Sequence, residues 1–312
     1  MFKERTALAF LILLPLIMLV GYFKTELLAS KQADDWEESR FWILKTYRSD
    51  TFDVILIGDS RVNQGLSPAA MQTILKNLHI LNLSFIKGGL NPEIYALTEQ
   101  RLSSTSAQPI VVMGITPLSL TPLAGQNTYY HKYLEKRPYE RFFILHLTPV
   151  LVFFSPITPE TLFEYLEFAP PTEKHMIIKE YYDDGWIASR YSQDDPNSAL
   201  VTYNNVFTDN QVSEEYVHEL ITQTQQWTQA GILVFGFRFP STEQIATIED
   251  ELSGFDETAL KTDFEHAGGI WLDIPNDAYR SYDGSHLHKD AAVEFSIDLA
   301  KLIQEYLDTH NH

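Results

Sequence analysis

The feature that most constrains the fold is a regular alternation of short apolar runs and amphipathic segments that begins at Val54. Each run is rich in β-branched or aromatic residues and is bounded by turn residues, which predicts a strand. Strands that alternate with helices form a parallel sheet with right-handed crossovers. The sequence therefore predicts an α/β fold with a doubly wound, five-stranded parallel sheet. Its strands are Val54–Ile57, His79–Leu83, 109–115, 232–240 and 270–274.

The intervening segments carry helix signals. Ser67 is placed to cap a helix over residues 66–78, with Pro68 at its first position. Apolar residues at helical spacing predict three further helices, and a long amphipathic helix closes the chain after the loop that begins at Ser281. The three are 91–104, 214–231 and 256–269.

A central stretch from about residue 118 to 207 interrupts this alternation. It is rich in Tyr, Phe and Pro and is too long and too aromatic for a solvated loop. We interpret it as an aromatic-rich insertion that forms a cap beside the sheet. The α/β domain is then expected to span residues 53–312, with this insertion inside it.

The first 30 residues predict a membrane segment. Ala7 to Phe23 are seventeen uncharged residues, which would span roughly 25 Å as a helix, near the lower limit for a bilayer. A cleaved signal peptide is the competing interpretation, but the run is long for one and lacks a small-x-small cleavage site. We expect a retained N-terminal transmembrane helix (1–30), a juxtamembrane linker or helix (31–52), and the domain on the extracytoplasmic side.

A second apolar stretch, "FFILHLTPVLVFF" at 142–154, has only thirteen residues and contains a proline. It is too short to span a bilayer as a helix. The stretch is therefore expected either to be buried in the protein or to lie in the membrane interface.

The charge balance excludes several functions. The chain has 23 Lys and Arg against 42 Asp and Glu, a formal net charge of −19, which disfavours nucleic-acid binding. It has no cysteine, so neither a thiolate metal site nor a cysteine nucleophile is available. We expect no metal and no cofactor. A flavin or nucleotide site is disfavoured because "IGDSRVNQG" lacks a phosphate-binding loop.

Candidate functional residues follow the strands, because ligands of doubly wound sheets bind beyond the carboxyl ends of the strands. Ser60 comes two residues after Gly58, where the first strand ends. A strand–turn–helix setting would expose its hydroxyl and bring backbone N–H groups nearby to stabilise an oxyanion. Asp59 is expected to bond backbone amides in that turn.

Asp283 and His286 lie just before the last helix. In a tight turn, their three-residue spacing lets the carboxylate reach the imidazole Nδ1–H and leaves Nε2 free to take a proton from a serine. Surface positions without function are the alternative for such a pair. Gly-Asp-Ser triplets also occur in ordinary turns, so each motif is weak alone, and their order and position at one rim favour the catalytic interpretation.

"IGDSR" on the first strand, with "DGSH" before the last helix, resembles the SGNH, or GDSL-type, hydrolase superfamily. The resemblance covers the domain from about Asp53 onward, apart from the insertion. It implies a flavodoxin-like sheet, Ser60 as nucleophile, His286 as base and Asp283 as its orienting partner. The membrane-anchored layout is similar to envelope proteins of this superfamily that handle acyl groups, as in alginate acetylation and teichoic-acid D-alanylation.

The remaining blocks of the family depart from its pattern. The oxyanion glycine would be Gly88, with Gly89 as the alternative, and Thr116 stands where the family has an asparagine. Asn91 or Asn127 could replace that asparagine, and we also count Asn91 among substrate-binding candidates. Arg238 follows the fourth strand and either binds an anionic substrate group or forms a salt bridge.

Two functions follow from these observations. The first is a membrane-anchored extracytoplasmic serine esterase or O-acyltransferase, which acts on an acylated envelope glycan or a lipid-linked substrate through an acyl-serine. The second is an inactive scaffold of the same fold that binds glycan or assists a membrane-bound acyltransferase partner. The absent asparagine favours the second, and the Ser60, His286 and Asp283 motifs favour the first.

Overall fold

The computed structural model describes residues 31–148, 150, 177–191 and 194–310, together with positions 13, 15 and 16. The chain divides into two compact units. One, the α/β unit, comprises Lys45–Leu134 and His175–His312, and the other, the N-terminal unit, comprises Met1–Leu44 and Glu135–Lys174.

The strands of the described residues all lie in the α/β unit. They are β1 (Val54–Gly58), β2 (Ile80–Asn82), β3 (Ile110–Ile115), β4 (Ile177–Tyr181), β5 (Ile187–Tyr191), β6 (Leu233–Arg238) and β7 (Ile270–Trp271). Five of them form a parallel sheet in the order β2-β1-β3-β6-β7. The predicted five-stranded parallel α/β sheet is therefore confirmed. β4 and β5 form a separate antiparallel hairpin.

The described ranges also contain twelve α-helices. They are α1 (Lys31–Tyr47), α2 (Ser60–Gly65), α3 (Pro68–Met71), α4 (Pro92–Arg101), α5 (Pro122–Gly125), α6 (Thr128–Leu134), α7 (Pro138–Phe142), α8 (Leu200–Val206), α9 (Glu214–Gln229), α10 (Glu243–Leu252), α11 (Glu257–His266) and α12 (Lys289–His310). A 3₁₀ turn covers Leu118–Leu120, and a π-helical turn covers Phe143–Leu147.

The central strands are buried on both faces. Successive side chains of a strand point to opposite faces. Val54 and Leu56 of β1 pack in one cluster with Phe295 and Leu299 of α12. Ile55 and Ile57, which point the other way, are equally buried. Such continuous apolar strands are typical of parallel sheets covered by helices on both sides.

Helix α2 packs closely against the ends of β1 and β3. Gly58 and Gly114 are paired across β1 and β3. A Cβ at Gly58 would lie 2.4 Å from Val62 Cγ2, and one at Gly114 would lie 2.2 Å from the same atom. Both glycines therefore leave the space that the Val62 side chain needs against the sheet.

Buried amides fix the other end of α2. Asn82 Nδ2 donates to the carbonyls of Val62 and Leu66, at 2.8 and 2.9 Å. Asn63 Nδ2 donates to the carbonyl of Ser84 at 3.0 Å. Since Asn82 ends β2, these bonds tie the short helix to the neighbouring strand and hold its first residue, Ser60, over the carboxyl edge of the sheet.

Two local predictions differ from the structure. The helix expected over residues 66–78 ends at Met71, where turns follow. Thr73 Oγ1 donates to the carbonyl of Ala70, which the Ile74 N–H would take in a longer helix, and that N–H instead donates to the carbonyl of Met71. Helix α10 was not expected.

The predicted insertion is also divided differently. Glu135–Lys174 belongs to the N-terminal unit, whereas the β4–β5 hairpin belongs to the α/β unit. Trp186 and Ala188 of this hairpin contribute to the core beside the central sheet, so this part is integral rather than a cap. The predicted membrane segment lies outside the described residues except at positions 13, 15 and 16. Within the described ranges, no helix is long and apolar enough to span a membrane.

The contact between Gly114 and Val62 generates a stability prediction. Gly114→Ala should lower the free energy of unfolding by about 1–3 kcal/mol, because the new methyl group overpacks against Val62. In a Val62→Ala background, the same substitution should cost clearly less, which urea unfolding of the four proteins of this cycle would measure. Equal costs in the two backgrounds would contradict the proposed contact.

Candidate active site

Ser60 lies at the start of α2, directly beyond the end of β1. Asp59 is the N-cap of this helix, and its Oδ1 accepts a hydrogen bond from the Arg61 N–H at 2.9 Å. This agrees with the turn role expected for Asp59. Ser60 itself is half-buried, while Asp59 and Arg61 on either side are buried.

Three predicted residues form a hydrogen-bonded row. Ser60 Oγ lies 3.0 Å from His286 Nε2, and His286 Nδ1 lies 2.7 Å from Asp283 Oδ2. Because an ionised carboxylate only accepts hydrogen bonds, the proton of the neutral imidazole resides on Nδ1. The Nε2 lone pair then faces the serine hydroxyl. The structure thus brings together residues that are 226 positions apart in the chain.

The Asp283 carboxylate is held from three directions. Its Oδ1 accepts from the backbone N–H groups of Ser285 and His286, at 2.8 and 2.7 Å, and its Oδ2 faces the imidazole. Burial alone would raise the pKa of Asp283, but electrostatic attraction to the imidazole of His286 and these hydrogen bonds lower it to about 2. The group is therefore an anion at neutral pH and stabilises positive charge on the imidazole.

The turn that carries Asp283 and His286 requires a glycine between them. Gly284 has a φ of +97°, and a Cβ there would lie 2.4 Å from the carbonyl oxygen of Pro196. Ser281 Oγ accepts from the Gly284 N–H and donates to the His286 carbonyl, both at 2.8 Å. The loop is closed on itself by these bonds, which fixes the imidazole relative to the carboxylate.

An aromatic stack supports the imidazole. The ring of Tyr282 lies nearly parallel to that of His286, with centroids 5.8 Å apart, and Tyr191 stacks against Tyr282 at 4.8 Å. The Tyr282 hydroxyl donates to Gln64 Oε1 at 2.8 Å, which links this stack to the end of α2. Burial raises the pKa of Tyr282 far above its ordinary range, so the phenol stays protonated and remains a donor.

A buried ion-pair cluster lies beside Ser60. The Arg61 guanidinium pairs with Glu249 of α10, and both side chains are fully buried. Glu249 also accepts from Arg238 at 3.2 Å, while Asp250 and Glu257 lie 2.8 and 2.9 Å from Arg238. Burial lowers the pKa of Arg61, but the charges around it, Glu249 first, raise it overall. The cation is therefore retained inside the protein.

Tyr203 connects this cluster to the Asp283–His286 turn. Its hydroxyl oxygen accepts from Arg61 Nε and Nη2, at 3.0 and 2.8 Å, and lies 2.8 Å from Ser285 Oγ. Burial raises the pKa of Tyr203 to about 12, so the phenol keeps its proton. Because the Tyr203 oxygen accepts two hydrogen bonds from Arg61, its own hydroxyl proton is placed to donate to Ser285 Oγ. Arg61 and Tyr203 thus span the gap between the serine helix and the histidine turn.

The predicted oxyanion residues have different surroundings. The Thr116 hydroxyl donates to Asp59 Oδ2 at 2.6 Å, and the Thr116 N–H donates to Ser119 Oγ, so neither has a hydrogen left for an oxyanion in this arrangement. Gly88 is buried beyond β2. Within the described ranges, the N–H groups of Gly88 and Ser60 have no hydrogen-bond partner.

The two predicted substrate-binding residues are engaged within the protein. Asn91 caps α4, accepts from the Glu93 and Ile94 N–H groups, and exchanges hydrogen bonds with Asn127. Arg238 is largely buried among three carboxylates, which is the salt-bridge alternative left open by the sequence. No group of three or more side chains suited to a metal occurs in the described part of the chain.

The sequence did not identify Tyr203, Ser285 and Glu249 as parts of the site. Tyr203 falls in the aromatic stretch, where nothing distinguishes it from its neighbours, and Glu249 is one of many acidic residues. Arg61 stands inside the quoted "IGDSR" motif. An arginine directly after the candidate nucleophile says little by itself, and its burial against Glu249 is shown only by the structure.

Comparisons with known proteins add little to this geometry. No family model and no curated protein matches the chain. A solved structure from Streptococcus pneumonia, described as "a putative platelet activating factor", matches with 11% identity and a TM-score of 0.38, over 93% of this chain and 98% of the other. A similarity at this level supports no conclusion about the present chain.

The ion-pair cluster generates a prediction for Glu249. Glu249→Ala should lower the free energy of unfolding by about 3–5 kcal/mol, because it leaves the buried Arg61 charge without its counter-ion. Glu251→Ala, two residues away on the exposed side of α10, is the matched control and should change it by less than about 0.5 kcal/mol. Chemical denaturation monitored by circular dichroism measures both. Similar effects of the two substitutions would contradict this role of the cluster.

Proposed function

We propose that this protein is a serine esterase or O-acyltransferase of the SGNH type. The observation that carries the proposal is the row of contacts from Ser60 Oγ to His286 Nε2 and from His286 Nδ1 to Asp283. A nucleophile, a base and a group that orients the base are the components of nucleophilic acyl transfer. Their position beyond the carboxyl ends of parallel strands is where such sheets bind ligands.

The first half-reaction would acylate the serine. Ser60 Oγ attacks the ester carbonyl while His286 Nε2 takes the hydroxyl proton, and Asp283 stabilises the resulting imidazolium. The electron pair of the carbonyl π bond moves to the carbonyl oxygen, which becomes the oxyanion of a tetrahedral intermediate. When the tetrahedral intermediate collapses, the bond to the alcohol oxygen breaks, and the imidazolium returns its proton to that leaving group. The product is an acyl-serine and a free alcohol.

The second half-reaction would release the acyl group. Water, or the hydroxyl of an acceptor, gives a proton to His286 and attacks the acyl-serine carbonyl. Collapse of the second intermediate breaks the bond to Ser60 Oγ, which regains its proton from the imidazolium. Hydrolysis and transfer differ only in which hydroxyl enters at this step.

The backbone N–H groups of Ser60 and Gly88 are the donors we assign to the oxyanion. Buried N–H groups usually have a partner, and within the described ranges neither the buried Gly88 N–H nor the half-buried Ser60 N–H has one, which supports a site that awaits an acceptor. Two donors aimed at the developing charge supply a large part of the rate enhancement in acyl transfer. The Thr116 hydroxyl instead supports Asp59 and, through it, the start of α2.

We propose that the substrate is an acylated envelope glycan or a lipid-linked molecule. The seventeen-residue uncharged run near the N-terminus supports a membrane anchor, with the α/β unit on the extracytoplasmic side. Alkaline phosphatase fused after residue 312 tests this orientation in a bacterial host. Phosphatase activity is expected, and an inactive but stably expressed fusion would contradict the envelope location.

A non-catalytic scaffold of the same fold is a second candidate. The hydrogen bond from Thr116 to Asp59 favours it, because it engages the hydroxyl at the position where the family has an asparagine. Such a protein would bind a glycan or a membrane-bound acyltransferase without forming an acyl-serine.

The proposed chemistry predicts a specific activity pattern. The purified full chain should hydrolyse p-nitrophenyl acetate, and Ser60→Ala or His286→Ala should lower kcat/KM by at least about 10³-fold, because triad members act as a unit. Ser103→Ala and the exposed His79→Ala, both remote from the carboxyl edge of the sheet, are matched controls that should keep the parental rate. Equal rates in all five proteins would contradict a role for Ser60.

A further inference from the structure

The N-terminal unit carries an exposed apolar face outside the candidate active site. Its side chains belong to α7, the π-helical turn and the residues just after it, and they are between 41% and 64% exposed. We define this face by five residues: Tyr139, Phe142, Phe143, Leu147 and Val150. Contiguous apolar surface of this kind marks a site of contact with a membrane or another protein.

The spacing of these residues places them along one side of the helical segment. Tyr139 lies three and four residues before the adjacent Phe142 and Phe143, and Leu147 and Val150 follow at further intervals of four and three, spacings that align side chains on a helix. Elsewhere on this segment, the carbonyl of Ile144 accepts a hydrogen bond of 2.8 Å from Trp36 Nε1 of α1. The segment is therefore attached to its own unit while the apolar face remains open.

Charge near this face is opposite in sign to that of the whole chain. Residues 135–150 contain Lys136, Arg137 and Arg141 against two acidic residues, while the chain carries a net charge of −19. One of the acids, Glu140, accepts a hydrogen bond from the Arg137 N–H at 2.7 Å and serves as a helix cap. A locally basic, aromatic helix within an acidic protein is complementary to an anionic lipid surface.

The same unit contains the most apolar part of the sequence. Residues 7–23 and this segment are far apart in the chain but belong to one compact unit. Leu13 and Leu16, within the uncharged run, are each 55% exposed. The apolar face and these two exposed leucines, which belong to one unit, are more simply covered by a common lipid phase than by two different protein partners.

We propose that the face from Tyr139 to Val150 lies in the interface of an anionic bilayer, with its helix in the membrane plane. Tyrosine at its start suits the headgroup level, where aromatic side chains with a polar tip are enriched. The phenylalanine, leucine and valine side chains then reach the acyl boundary. The proposal concerns membrane contact only and does not depend on the chemistry of Ser60.

The sequence permits a direct test because it contains no cysteine. The full chain is reconstituted in vesicles of phosphatidylcholine and phosphatidylglycerol, with a single spin-labelled cysteine in place of Phe142, Leu147 or Val150. Val201→Cys on α8, also apolar and 69% exposed, is the matched control. Electron paramagnetic resonance then measures the access of oxygen, which enriches in lipid, and of a water-soluble nickel chelate.

The proposal predicts an oxygen-to-nickel access ratio several-fold higher at the three face positions than at Val201→Cys. Equal ratios would place the face in water and overturn the proposal. Labels shielded from both reagents would also overturn it, because a protein surface would then cover the face. Circular dichroism of each labelled variant establishes that it is folded, and three independent positions guard against a local effect of one label.

Discussion

The close packing of Val62 against the ends of β1 and β3 is the constraint on which the candidate site depends. Glycines at both paired strand positions, Gly58 and Gly114, leave room for this side chain, and a methyl group at either would come within 2.4 Å of it. Because α2 can therefore start directly at the sheet edge, Ser60 reaches His286. The serine position is thus a consequence of backbone proximity, supported by the Asp59 cap and by Asn82 behind the helix.

Electrostatics hold the second half of the site in place. Arg61 is fully buried, and Glu249 supplies its counter-charge while Tyr203 accepts two of its hydrogen bonds. Because burial of these charges costs desolvation energy, we interpret the cluster as fixing one arrangement of the site more than as adding net stability. Here they connect the residue after the candidate nucleophile to Ser285, which adjoins the candidate base. A shift of the histidine turn would therefore disturb a buried charge as well as a hydrogen bond.

The sheet was predictable because each central strand is buried on both faces and reads as a continuous apolar run such as Val54–Ile57. The position of Ser60 after the first strand, and of Asp283 and His286 in the loop before the last helix, likewise predicted that the three residues lie at one rim of the sheet. Contacts between distant elements were not predictable in this way. Hydrophobic periodicity predicts strands and helices, but it does not indicate which distant side chains meet. Examples are the salt bridges of Arg238, the hydrogen bond from Thr116 to Asp59 and the burial of Trp186.

The central claim is that Ser60 is an activated nucleophile. Incubation of the full chain with a fluorophosphonate, followed by peptide mass spectrometry, tests this most directly because the reagent bonds covalently to such a serine and leaves unactivated hydroxyls unmodified. The account predicts an adduct on the peptide that contains Ser60, in near-stoichiometric amount, and its loss in the His286→Ala protein. A folded parent protein that remains unmodified at Ser60 would contradict the claim and favour the scaffold.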